Sequence, residues 1–161
     1  MIARLYARAI QGSPRLRRFL ARRIYQFFAS RYKVREWTFM NYGFLPGRPE
    51  DRPVLDAGDE PDRSSIQLYN HVASLAPLAG LDVVEIGSGR GGGASFVART
   101  MRPRSMLGID FSANAVAFCR QVHACPGLSF ACGDAERLSL ADASVDVVLN
   151  VESSHCYASM R

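Results

Sequence analysis

The sequence contains no uninterrupted apolar run long enough to cross a membrane as a helix. It also lacks a long low-complexity tract, and its hydrophobic content of 48% is that of a chain with a globular core. No C-x-x-C spacing relates its four cysteines, which argues against a zinc site. The N-terminus lacks a continuous apolar core followed by a small-residue cleavage site. We therefore expect reduced thiols, no metal and a cytoplasmic protein.

Acidic residues are absent from residues 1–35, although the whole chain carries 15 of them. The same stretch holds nine arginines and Lys33, so the rest of the chain is net negative. Apolar residues follow helical spacing on both sides of Gly12-Ser13-Pro14, which predicts a basic amphipathic helical arm.

Three interpretations of this arm stay open. In the first, the arm rests on anionic lipid, which would place the protein at the inner membrane face. In the second, it packs on the domain and its arginines are solvated. In the third, it is an organellar transit peptide. We expect no nucleic-acid partner.

The arm is followed by a connecting segment and a domain. Residues 36–63 contain four prolines and several acids and are predicted to be irregular, whereas residues 64–161 alternate helical and strand patterns. Such alternation predicts an α/β fold with a parallel sheet and right-handed crossovers. The predicted helices are 64–75, 94–101 and 114–123, and the predicted strands are 82–86, 106–110, 128–132 and 145–150.

Five glycines within seven residues follow the first predicted strand. A Gly-rich turn between a buried strand and a helix lets a ligand approach backbone N–H groups. The spacing Glu85-x-Gly87-x-Gly89-x-Gly91 resembles the first motif of class I S-adenosylmethionine methyltransferases. Gly87-x-Gly89-x-x-Gly92 also satisfies the dinucleotide fingerprint. The turn alone therefore leaves both kinds of cofactor open.

Carboxylates end the second and third predicted strands. Asp110 can accept hydrogen bonds from both ribose hydroxyls of a nucleoside bound over the turn, or it can cap the next helix. Gly133-Asp134-Ala135 suits recognition of an adenine amino group, although Gly-Asp is also a common turn. A nicotinamide-binding half-domain has no need for this third carboxylate, so the three motifs in order favour S-adenosylmethionine.

Together these motifs resemble class I S-adenosylmethionine-dependent methyltransferases of the methyltransferase-11 type. Within that superfamily, the stretches 59–63, 91–95 and 150–157 resemble the phthiotriol/phenolphthiotriol dimycocerosate and related glycolipid O-methyltransferases. The resemblance implies a Rossmann-like sheet with more strands than the four predicted here, so we expect the chain to be an N-terminal portion. The cofactor-binding residues that it implies are Glu85, Gly87, Gly89, Gly91, Asp110, Phe111, Asp134, Ala135 and Asn150.

The resemblance implies transfer of a methyl group from S-adenosylmethionine to a hydroxyl of a lipid or glycolipid. An alcohol acceptor must lose its proton, which requires a general base. His155 follows the fourth strand, and in similar sugar O-methyltransferases a His at the matching Glu-Ser-x-His position is that base. Alternatively, His155 shapes the acceptor pocket or bonds a backbone carbonyl.

Other functions also stay open. They are methyl transfer to a small-molecule or sterol-type acceptor, an inactive fragment that binds the cofactor or a partner, and, more distantly, a nicotinamide dehydrogenase.

Overall fold

The computed structural model describes residues 37–157, so the predicted basic arm, residues 1–35, lies outside the described residues. The helices are α1 (Arg63–Ala73), α2 (Gly92–Met101) and α3 (Ala113–Val122). The strands are β1 (Asp82–Ile86), β2 (Ser105–Asp110), β3 (Leu128–Cys132) and β4 (Val147–Leu149). Short 3-10 helices occur at Pro49–Asp51, Glu60–Asp62 and Ser154–Cys156. None of the described helices combines the length and apolar character that a membrane crossing requires.

The four strands form one parallel sheet in the order β3-β2-β1-β4. β1 occupies an interior position, in register with β2 through Val83↔Met106 and with β4 through Val83↔Val147. Its burial on both faces agrees with its run of apolar residues. The predicted α/β fold with a parallel Rossmann-like sheet is confirmed.

Alternate residues of β1 face two different apolar clusters. Val83 packs in the larger cluster with residues of all three helices, whereas Val84 and Ile86 pack with Ile109 on the opposite face. Glu85 shares the helix-covered face with Val83 because side chains two residues apart point the same way. An acidic side chain is therefore held inside the packed side of the sheet.

β4 is shorter than the predicted strand 145–150. One residue before it, the Asp146 carboxylate accepts a hydrogen bond from the backbone N–H of Asp82 at 2.8 Å. The N–H of Asp146 in turn donates to the carbonyl of Asp82 at 2.8 Å, so this residue bonds to the start of β1 through both its side chain and its backbone. Regular strand pairing begins at Val147.

Candidate cofactor-binding site

A cavity opens at the carboxyl ends of the strands, where ligands bind in sheets of this kind. It encloses about 1350 Å³, the space at its open mouth included. The Gly-rich turn after β1 forms one wall, and the ends of β2 and β3 form the next. The segment after β4 and residues 37–41 complete the lining.

The turn after β1 depends on glycine at particular positions. Gly87 has a φ of +80°, and a Cβ there would lie 2.3 Å from the Cβ of Ser153. Gly89 has a φ of +53°, in the left-handed region that favours glycine. Both residues line the cavity, so the backbone itself forms this part of its surface.

Asp110 joins the end of β2 to this turn. Its Oδ2 accepts a hydrogen bond from the N–H of Gly89 at 2.9 Å, and its Oδ1 accepts one from the N–H of Ser112 at 2.8 Å. Burial raises the pKa of Asp110, and these two N–H groups act in the opposite direction. A carboxylate oxygen has a further lone pair, so Asp110 still has acceptor capacity towards the cavity that it lines.

The end of β3 supplies the second carboxylate. Asp134 lines the cavity beside Ala135, and its Oδ1 accepts a hydrogen bond from the N–H of Glu136 at 3.1 Å. Phe111, from the β2 end, lines the same space. The structure therefore brings Asp110, Phe111, Asp134 and Ala135 together around one cavity, as the sequence predicts.

Three other predicted cofactor residues lie behind the lining. Glu85 is fully buried and accepts a hydrogen bond from Tyr69. Gly91 packs against α3, where a Cβ would lie 2.9 Å from Cys119 Sγ. Asn150 donates to the hydroxyl of Tyr157 at 2.8 Å. Each of them contacts the lining or the elements that carry it, and none is part of the lining itself.

The structure does not bring His155 to the cavity. The residue is exposed in the short 3-10 helix after β4, whereas its neighbour Cys156 lines the cavity. The assignment of His155 as general base therefore gains no support from this geometry and stays a prediction.

Residues 37–41 were not predicted to contribute to the site. The carbonyl of Thr38 accepts the N–H of Gly92, at the start of α2, at 3.1 Å. Arg90 donates to the carbonyl of Trp37, and its guanidinium lies 5.2 Å from the centre of the Trp37 ring. This irregular segment crosses the cavity with no periodic apolar pattern, so no sequence signal indicated its position.

Two tyrosines also belong to this wall, and the sequence did not predict the position of Tyr69. Tyr69 of α1 lines the cavity and reaches Glu85 because Gly93 leaves room for its ring. The Tyr157 hydroxyl lies 2.7 Å from Ser153 Oγ, and Ser153 in turn donates to the carbonyl of Ile86 at 2.8 Å. The extra glycines after Gly91 were the one signal that a bulky neighbour packs there.

The residues present fit a nucleoside cofactor. Carboxylates stand at two successive strand ends, and apolar side chains such as Ile109 and Ala115 line the space between them. The Gly-rich turn exposes backbone at the cavity wall without side chains in the way. The hydroxyl of Ser88, buried in this wall, makes no hydrogen bond to the described residues.

A family of methyltransferase domains matches residues 83–161. This range contains the Gly-rich turn, both strand-end carboxylates and the segment after β4. In this part of the chain, which includes most of the candidate site, the sequence is therefore similar to methyltransferase domains. The cofactor predicted for it, S-adenosylmethionine, is confirmed as that of the family.

Curated relatives are similar over most of this chain. One is a probable phthiotriol/phenolphthiotriol dimycocerosates methyltransferase 2 of Mycobacterium ulcerans, 48% identical over 76% of this chain and 47% of its own length. Another is a fatty-acid O-methyltransferase of Mycolicibacterium smegmatis, 44% identical over 83% of this chain and 48% of its own length. The chain thus spans about half the length of the curated relatives it matches.

Solved structures show the same fold at lower identity. The geranyl diphosphate C-methyltransferase of Streptomyces coelicolor superposes with a TM-score of 0.59 over 82% of this chain and 55% of its own, at 20% identity. This likeness supports the fold alone.

Proposed function

We propose that the whole protein transfers a methyl group from S-adenosylmethionine to a hydroxyl of a lipid or glycolipid. The observation that carries the proposal is the cavity at the strand ends, with Asp110 and Asp134 on its wall. The acceptor class is supported by relatives named as methyltransferases of phthiotriol dimycocerosates and of fatty acids.

The donor, when bound, supplies an electrophilic methyl group on a sulfonium. Asp110 would accept hydrogen bonds from the ribose, and Asp134 would accept one from the adenine amino group. Gly87 and Gly89 would let the rest of the molecule lie against the backbone. The contribution of these residues is alignment of donor and acceptor and exclusion of water, which accounts for much of the catalysis of such transfers.

The mouth of the cavity suits an apolar acceptor. Trp37 and Met40 line the cavity and remain 37% and 40% exposed, although both are large and apolar. Tyr157 adds an aromatic ring on the β4 side. An alkyl chain entering here would cover apolar surface that now faces water.

A fatty-acid carboxyl is the second candidate acceptor. A hydroxyl must lose its proton to a base, whereas a carboxylate is already ionised at neutral pH. His155, the predicted base, is exposed and lies outside the lining. The exposed position of His155 therefore favours a carboxylate acceptor more strongly than the sequence pattern does.

An assay with labelled donor separates the hydroxyl acceptor from the carboxyl acceptor. The whole protein is incubated with methyl-labelled S-adenosylmethionine and a matched pair of long-chain acceptors, an alcohol and the corresponding fatty acid. A labelled ether, which resists mild alkaline hydrolysis, supports the hydroxyl acceptor. A labelled ester, which is cleaved, supports the second candidate. Cofactor binding with no label in either lipid would contradict the lipid proposal.

The same assay tests whether His155 is the general base. If His155 is the base, His155→Ala lowers ether formation by roughly 10²–10⁴-fold and leaves donor affinity unchanged. His71→Ala is the matched control, because His71 stacks on Phe44 outside the cavity, with ring centres 4.4 Å apart. Near-normal turnover of His155→Ala would contradict the assignment of His155 as general base.

The basic arm supports a further part of the proposal, contact with an anionic membrane surface at the cytoplasmic face. Its ten basic side chains and apolar stripes should bind anionic vesicles, and salt should weaken that binding. Deletion of residues 1–35 should abolish it. Equal binding to neutral and anionic vesicles would contradict an electrostatic role.

A further inference from the structure

A buried carboxyl group lies directly behind one wall of the cavity. Glu85 is 0% exposed, and its Oε1 accepts a hydrogen bond of 2.6 Å from the Tyr69 hydroxyl. Its Oε2 makes no hydrogen bond to the described residues. Tyr69 lines the cavity, so this side chain stands between the carboxyl and the ligand space.

The fold holds this pair in place by close packing. A Cβ on Gly93 would lie 1.9 Å from ring atoms of Tyr69, so the ring fills the space that a side chain would occupy. Phe39 packs edge-on with the same ring, with ring centres 5.9 Å apart. Tyr69 is therefore fixed with its hydroxyl on Glu85.

The surroundings of the pair are negative. Burial raises the pKa of Glu85 to about 7, the hydroxyl of Tyr69 and the N–H of Ala94 oppose that rise, and the charge of Asp110 adds to it. The pKa of Tyr69 is raised well above its usual value by burial, by Glu85 and by Glu152. The charge of Glu85 also contributes, after burial and Asp110, to the raised pKa of the Cys119 thiol on α3. The groups around the pair are thus mostly anionic: Asp110 at the end of β2 and Glu152 after β4 both line the cavity, and the cation among them is Arg90, which lowers the pKa of Cys119.

A phenol that donates its proton to a carboxylate keeps its own oxygen lone pairs as acceptors. The carboxylate behind it strengthens that acceptor, because hydrogen bonds to charged groups polarise their partners. The carboxylate of Glu85 consequently makes the Tyr69 oxygen more negative, and Tyr69 lines the cavity.

We infer that the Tyr69–Glu85 pair makes the cavity prefer the cationic methyl donor to its neutral demethylated product. The inference rests on the proposed donor, a sulfonium that becomes a thioether when the methyl group leaves. The two molecules otherwise have the same nucleoside and amino-acid groups. A negative wall stabilises the donor and gives no such benefit to the product, so it also favours product release.

The coupling is reciprocal. A bound cation stabilises ionised Glu85 and lowers its pKa, whereas the neutral product leaves that pKa near its ligand-free value. Because protonation of Glu85 removes the charge, donor affinity falls as the pH drops below about 7, and product affinity changes less. Groups on the shared amino-acid end titrate in both ligands and cancel in the ratio of the two affinities.

The experiment is titration calorimetry with S-adenosylmethionine and S-adenosylhomocysteine from about pH 5.5 to about pH 8. If the cation lowers the pKa of Glu85 by one unit, the ratio of donor to product affinity rises about sevenfold across that range. Glu85→Gln and Tyr69→Phe should each give a ratio that does not change with pH. Tyr157→Phe, which removes a different cavity hydroxyl, one that is hydrogen-bonded with Asn150 and Ser153, should keep the wild-type pH dependence.

Thermal melts of the ligand-free variants establish that each one is folded, and Tyr69→Phe carries the test should Glu85→Gln fail to fold. A ratio independent of pH in the wild type, with both ligands bound, would overturn the inference and leave the donor assignment intact. Binding of neither ligand would overturn both. A wild-type dependence retained in Tyr69→Phe and Glu85→Gln would assign the effect to another group and overturn the role of this pair.

Discussion

The carboxylate of Asp110 accepts the backbone N–H of Gly89 at 2.9 Å and thereby ties the end of β2 to the turn after β1. A Gly-rich turn has few side-chain contacts of its own to fix its path. The hydrogen bond supplies one, at a residue with a positive φ. Asp110, which we predict to bind the ribose, therefore also supports the loop that would hold the rest of the cofactor.

Replacement of Asp110 should weaken both functions. In Asp110→Asn one acceptor oxygen becomes an N–H₂ donor, which would face the N–H of Gly89 or of Ser112. Since hydrogen bonds to charged groups contribute roughly 1.5–3 kcal/mol each, the affinity for S-adenosylmethionine should fall by at least about tenfold. Calorimetric titration measures this loss. Asp142→Asn, at an exposed position outside the cavity, is the control, and equal affinities in the two variants would contradict the assignment of Asp110.

Gly93→Ala should destabilise the fold. Its Cβ would overlap the Tyr69 ring, and overpacking of this kind costs about 1–3 kcal/mol. The better helix propensity of alanine offsets about 1 kcal/mol at most. Denaturant unfolding gives the free-energy difference. Gly58→Ala, which meets no atom within 4 Å, should leave stability nearly unchanged. A Gly93→Ala protein as stable as Gly58→Ala would mean that Tyr69 packs elsewhere.

Cysteine reactivity should report the occupied cavity. Cys156 lines the cavity, whereas Cys132 is exposed outside it. Bound S-adenosylmethionine should therefore slow alkylation of Cys156 and leave that of Cys132 unchanged, as followed by peptide mass spectrometry.

Cys119 should resist the reagent with or without ligand. Burial raises its pKa to about 12, so only about one thiol in ten thousand is ionised near pH 8. Protection of Cys132 together with Cys156 would indicate a global change and not a ligand in the cavity.

Acid should weaken the junction between the starts of β1 and β2. Hydrogen bonds from Arg104 and Ser105 lower the pKa of Asp82 to about 2. A lowered folded-state pKa stabilises the fold above the ordinary value of about 4, and this stabilisation disappears as the pH falls towards 2. The melting temperature of the wild type should therefore fall more steeply between about pH 5 and about pH 2 than that of Asp82→Asn.

The exposed Asp56 provides the control for this prediction. Asp56→Asn should follow the wild-type curve. A difference between wild type and Asp82→Asn that stays constant over the whole pH range would show that the charge of Asp82 is not what stabilises the junction.

Sequence patterns predicted the sheet because its strands are marked locally. The run from Asp82 to Ile86 contains three apolar, β-branched residues and is followed at once by glycine, so the observed β1 has the predicted bounds. The carboxyl ends of parallel strands meet at one edge, and for that reason Asp110 and Asp134 could be placed at one cavity.

Contacts that depend on how elements pack were not predictable in this way. Glu85 matches a cofactor motif, yet its orientation follows from strand alternation and from the position of α1, which brings Tyr69 to it across 16 residues of sequence. His155 lies one residue from the lining residue Cys156, and the local turn decides which of them faces the cavity. Residues 37–41 reach the site through backbone contacts that carry no residue signature.

S-adenosylmethionine is the cofactor that we propose for the cavity. Titration of the protein with S-adenosylmethionine, S-adenosylhomocysteine and NAD tests it most directly, because the Gly-rich turn satisfies the motifs of both kinds of cofactor. We predict saturable binding of the first two at one site, weakened by Asp110→Asn, and no binding of NAD. Binding of NAD without S-adenosylmethionine, or S-adenosylmethionine affinity that is indifferent to Asp110, would contradict the account.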